Sequence, residues 1–99
     1  MYPALAAGCV GCVWGSGNFI PQEAVELYGL VQEGKLREAN QLWQRLLPSQ
    51  LFIWTHVYNS AVKSAANYRG FNVGQCRAPV LPLGNQDHSI LTQNLDTIG

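Results

Sequence analysis

Ninety-nine residues, 47% of them apolar and only 12% charged, with six basic and six acidic side chains, give a net charge of zero. That length holds one domain at most, and the charge balance leaves no electrostatic footprint for nucleic acid. A charged fraction about half the ~25% of an ordinary soluble domain says that part of the surface is meant to be covered by further chain or by another subunit.

In chain order, Pro3 to Ala7 reads as a short helical stub ending at Gly8. Val10-Gly11-Cys12-Val13-Trp14 is apolar on both faces, the pattern of a strand buried between two layers. Gly15-Ser16-Gly17-Asn18 breaks it into a loop, where Asn18 is expected to cap the loop or the next helix with its side chain. Pro21 suits a first helical position and Gly34 the position just past a helix end. Between them Ala24, Tyr28 and Val31 form an apolar stripe, flanked by Val25, Leu27 and Leu30. Glu23 and Glu26 lie in the first turns, where the helix dipole favours anions. A second helix starts near Lys35 and carries Leu36, Ala39, Leu42, Trp43 and Leu46. Pro48 is expected to kink or end it. Leu51 to Trp54 reads as an apolar continuation buried in a larger assembly. A third helix runs from about Asn59 to Arg69, with Ala61, Val62, Ala65 and Ala66 permitting close packing, and Gly70 closes it. Val73 to Gly84 reads as ordered but irregular, and a last helix spans about Gln86 to Thr97. One strand and four helices cannot make a sheet, because a lone buried strand needs neighbours on both edges.

No apolar run approaches the ~20 residues of a membrane span, so no membrane partner is expected. Met1 to Val13 lacks the basic start of a signal peptide and the arginines of a transit segment, which points to a cytoplasmic protein, with the mitochondrion as the alternative. Three cysteines without a secretion signal argue against a disulfide framework. Cys9 and Cys12 fit C-x-x-C, but Cys12 lies inside the apolar run rather than at a helix start, so both read as small buried thiols. His56 and His88 lack the spacing to complete a zinc site. They read as surface or interface residues, and no metal or other cofactor is expected. Lys63, on an Ala-rich helix, resembles a buried nucleophile but reads as structural. Arg77, shortly before Pro79, reads as a side chain bonding a carbonyl or carboxylate across a packed surface. Trp43, Phe52, Trp54 and Tyr58 make an aromatic zone read as core, with an oligomer interface as the sharper alternative.

Several short pieces in fixed order carry a resemblance: Gly11 to Asn18, Gly34-Lys-Leu-Arg-Glu-Ala39, Leu46-Leu-Pro48, Val62-Lys63, Gly70-Phe71 and Cys76-Arg-Ala-Pro-Val-Leu-Pro82. The chain resembles the C-terminal third of the dihydrodipicolinate synthase / N-acetylneuraminate lyase family of pyruvate-handling class I aldolases. The resemblance implies an α/β fold, the last strand and helix of a (β/α)₈ barrel plus a C-terminal helical extension, mainly α as an isolated chain. Residues 1–34 would be the last βα unit and 35–99 the extension, within barrels of roughly 250 residues or more. Val10 to Trp14 would be the eighth strand. The Schiff-base lysine, the proton-relaying tyrosine and the carboxylate-binding loop of the family would all lie upstream of Met1, so no catalytic residue is expected here and the chain alone should be inactive. Val13, Trp14, Gly15 and Ser16 would sit at the strand's carboxyl end and contact a 2-oxo acid substrate, with Ser16 able to donate to a substrate hydroxyl. A homo-oligomer is implied. Cys76-Arg-Ala-Pro79 leans toward the 4-hydroxy-2-oxoglutarate and sugar-acid aldolase branches rather than the lysine-biosynthetic synthase. The rival expectation is a self-associating or partner-binding module, and a third is a fragment that takes an apolar ligand at Trp14. The chain is expected to need a partner to fold.

Overall fold

Every regular element of the protein is helical. A computed structural model describes all residues, Met1 to Gly99, as α1 (Tyr2–Ala6), a 3-10 turn (Gly15–Asn18), α2 (Pro21–Gln32), α3 (Leu36–Thr55), α4 (Tyr58–Tyr68) and α5 (Asn85–Asp96). Local chemistry sets these boundaries. Pro21 opens α2 at its first position, where the missing N–H costs nothing. Past its end Gly34 takes φ +75°, and Lys35 N donates to Leu30 O at 2.8 Å while Gly34 N donates to Val31 O at 3.0 Å. That pair of bonds satisfies carbonyls the helix end would otherwise orphan. Gly70 closes α4 identically, at φ +96° with Phe71 N on Ala66 O.

α3 is the spine. Ala39, Leu42, Trp43, Leu46, Phe52 and Ile53 make one buried stripe on both sides of Pro48. Of the two outcomes expected at Pro48, a kink or an end, the end is corrected: α3 runs through it. Pro48 points outward and Gln44, four residues earlier, is also exposed. Water can take the carbonyl that loses its partner, while burial on the opposite face continues the helix. Leu27 of α2, Ala61 and Ala65 of α4, and Leu91 and Leu95 of α5 pack against this spine in one cluster of 16 buried residues. Phe19 and Ile20 belong to it, so residues on both sides of position 34 share a core. On α2 the buried residue is Leu27, whereas Tyr28 and Val25 face outward, which shifts the apolar stripe from the one the sequence suggests.

The strand predicted over Val10 to Trp14 is not formed; residues 9–14 run without regular structure. Val10 is 87% and Val13 107% exposed. No second strand exists to pair with, and backbone groups without a ladder must go to water. The same segment carries Cys9 and Cys12 to the surface, which corrects their reading as buried thiols. No helix is long and apolar enough to cross a membrane.

Candidate functional site

The four residues expected to meet substrate sit at the junction between the exposed segment and the 3-10 turn, and they face different ways. Val13 projects into solvent. Trp14 keeps an extended backbone (φ −142°, ψ 111°) as the residue before the turn. Its indole lies against Trp43 of α3, with ring centroids 6.1 Å apart and planes tilted by 40°. The Trp14 Nε1 donor has no partner. Gly15 lies under the Tyr58 ring: a β-carbon there would sit 1.7 Å from the Tyr58 hydroxyl, so any larger residue forces Tyr58 to swing outward.

Ser16 is fully buried and its hydroxyl donates to Gln50 Oε1. Gln50 Nε2 donates to Ser49 Oγ at 3.3 Å, and Ser49 Oγ donates to Leu46 O at 2.7 Å. This relay pins the turn to the middle of α3, and it occupies the hydroxyl that the sequence offered to a substrate. Asn18 Nδ2 donates to Gly15 O at 2.9 Å and closes the turn, as its position suggested. Backbone bonds complete the turn, with Gly17 N on Trp14 O and Phe19 N on Ser16 O, both at 3.0 Å.

Two supports were not foreseen from the sequence. Gln50 is a polar residue at an inward position of an apolar helix, and that placement is the signal that could have found it. The other is the Arg69 guanidinium, which pairs with Glu23 and donates through Nε to Phe19 O at 3.2 Å. It ties the end of α4 to the start of α2 directly below the turn, and nothing in the local sequence of either residue announces the pair. His56 is likewise committed to structure rather than left free on the surface. Its ring stacks on Phe52 at 3.8 Å, Nδ1 lies 2.8 Å from Phe52 O, and Nε2 is 3.7 Å from Asp87. Lys63 donates to Gln75 O at 3.3 Å, a structural contact as read from the sequence.

No three His, Cys, Asp or Glu side chains gather to hold a metal ion. Around the turn there is no nucleophile with a base in reach. What the arrangement offers is an apolar wall in which the indole N–H of Trp14 is buried without a partner.

Comparison with known proteins identifies the family. The profile of the dihydrodipicolinate synthetase family matches residues 1–98. The 4-hydroxy-tetrahydrodipicolinate synthases of Acetivibrio thermocellus and Caldicellulosiruptor saccharolyticus are 31% and 30% identical over 97 residues, covering 98% of this chain and 33% of each relative. A DapA-like lyase of Halobacterium salinarum, itself uncharacterised, is 30% identical over 98% of this chain and 32% of its own length. No solved structure matches. The chain thus spans about a third of the length of the curated relatives it matches. With residues 1–98 inside the family profile, the chain belongs to the dihydrodipicolinate synthetase family.

Proposed function

We propose that these residues serve as the C-terminal part of a Schiff-base lyase that makes or breaks a carbon–carbon bond next to a 2-oxo acid, and that the chain alone is catalytically silent. The observation that carries the reading is the segment Val10 to Trp14. It is apolar enough for a buried strand, yet Val10 and Val13 lie wholly in solvent, inside a family match that takes in a third of each relative. Seven further strands would give it two ladder partners and cover both faces.

In that setting Val13, Trp14 and Gly15 form the carboxyl-end wall of the substrate site, and Ser16 acts from behind it through Gln50. The lyase chemistry starts when a lysine amine condenses with the substrate keto group and releases water. The chain holds two lysines, Lys35 and Lys63. Lys35 is exposed and paired with Glu33 at 3.1 Å, and Lys63 bonds the Gln75 carbonyl. Neither stands at a strand end, so the reacting lysine must come from another part of the assembled barrel. Assembly as a homo-oligomer fits the exposed Leu51 and Trp54 on α3.

The test is a graft of residues 1–99 in place of the matching third of the Acetivibrio thermocellus synthase, treated with pyruvate and borohydride. The expected result is a reduced pyruvyl adduct on the graft and none on the ninety-nine-residue chain. A graft that folds with the parent's strand content but takes no pyruvate would overturn the reading.

A further inference from the structure

On the other side of Asn18 from the Trp14 wall lies a surface pocket of roughly 500 Å³, between α4 and the irregular segment that follows it. Its volume is within the ~300–1,000 Å³ usual for small-molecule sites. Val62 and Ala66 of α4 and Val73 and Val80 of the following segment line it, which makes much of its lining apolar. Two cations, Lys63 and Arg77, line it, and no carboxylate does. That distribution is uneven for a neutral chain: a third of its six basic residues meet here. Of the other four cations, Lys35 pairs with Glu33 and Arg69 with Glu23, while Arg37 and Arg45 make no ion pair and do not line this pocket. Arg77 makes no ion pair or side-chain hydrogen bond, and Lys63 uses a single donor, on Gln75 O. A guanidinium carries five donors in a fixed fork that matches a carboxylate, and an ammonium three.

We propose that this pocket binds a small monocarboxylic acid with a branched apolar body, its carboxylate held between Arg77 and Lys63 and its hydrocarbon part laid on Val62, Ala66 and Val80. The site is separate from the proposed barrel site: it is built from α4 and the 73–80 segment alone, apart from Asn18 at its edge. It needs no lysine chemistry. Because Asn18 also closes the turn through Gly15 O, an occupant here touches the back of the substrate wall.

The experiment is an amide-shift titration of the ¹⁵N-labelled chain with sodium 4-methylpentanoate, with 4-methylpentanamide and acetate as parallel arms. Binding by the acid with shifts confined to residues 59–66 and 73–80 is expected. The neutral amide should bind at least about tenfold more weakly, the usual consequence of losing a charge-assisted hydrogen bond. Acetate, lacking the branched body, should also bind more weakly. Arg77→Met and Lys63→Met should each weaken the acid about tenfold, while Arg37→Met, on a cation away from the pocket, should not. Equal binding of acid and amide, equal binding of acetate, or scattered shifts that follow every surface cation would overturn the proposal. Should the free chain give an undispersed spectrum, the same ligands and variants are titrated by calorimetry into the barrel graft, where equal binding of acid and amide, or no binding of the acid, would overturn the proposal.

Discussion

Ser16 and Gln50 make a buried pair whose energetics can be read directly. Removing one partner strands the other without water, whereas removing both with apolar replacements of similar shape leaves nothing unsatisfied. Gln50→Met is expected to lower stability by about 1–3 kcal/mol, and Ser16→Ala to cost a comparable amount. The double variant Ser16→Ala/Gln50→Met should recover most of that loss, as chemical denaturation of the four proteins would show; strict additivity would mean that the two do not act together. A second residue-scale expectation concerns alkaline pH. The Tyr68 hydroxyl donates to Asp96 Oδ1 at 2.7 Å, and that hydrogen bond holds the phenol above its ordinary pKa of 10.0. The folded state keeps its proton where the unfolded chain loses it. The contribution is therefore complete below the unfolded phenol's pKa and fades as pH rises through the folded one. Thermal stability of the wild type should fall with pH above about 10, and Tyr68→Phe should remove that component of the slope.

At the scale of elements, the helices were legible because each carries its own punctuation. Pro21, Gly34 and Gly70 fix ends, and the Ala61–Val62–Ala65–Ala66 face is buried as the small-residue pattern requires. Pro48 misled because its cost is local, whereas the stripe of Leu42, Leu46 and Ile53 that overrides it extends over several turns. The segment from Val10 to Trp14 misled differently: alternation and apolarity specify what a strand would bury, but the ladder partners must come from outside it. Gln50 was detectable as a polar residue on an inward face, but its partner 34 positions away was not, nor was the Arg69–Glu23 pair, 46 positions apart. The strand reading is testable at Val13. Val13→Thr should shift the stability of the free chain by no more than about 0.5 kcal/mol, because the side chain is in water. In the grafted barrel the same change would bury a hydroxyl and cost about 1–3 kcal/mol. Equal effects in both settings would remove the strand.

As a whole the molecule looks under-buried for its size. Its accessible surface is 6112 Å², against about 5,600 Å² for a monomer of this mass. Its radius of gyration is 14.0 Å, against ~13 Å for a hundred-residue domain. The extents of 43 × 23 × 23 Å describe an elongated body nearly twice as long as it is wide. Val10, Val13, Leu51, Trp54 and Leu81 all stand exposed to water, on a chain of which only 12% is charged. This shape predicts that the purified chain associates. Sedimentation should show mass rising with concentration, and unfolding probed by tryptophan and by far-ultraviolet dichroism should not coincide. A dispersed monomer with one cooperative transition would show that the ninety-nine residues are self-sufficient.

The most direct measurement is the intact mass of the polypeptide as its gene expresses it, after borohydride reduction with pyruvate, followed by mapping of the modified lysine. The account predicts a barrel-sized polypeptide of roughly 250 residues or more, carrying one reduced pyruvyl group on a lysine that is neither Lys35 nor Lys63. A product of ninety-nine residues that takes no pyruvate, or an adduct on either of those two lysines, would contradict it.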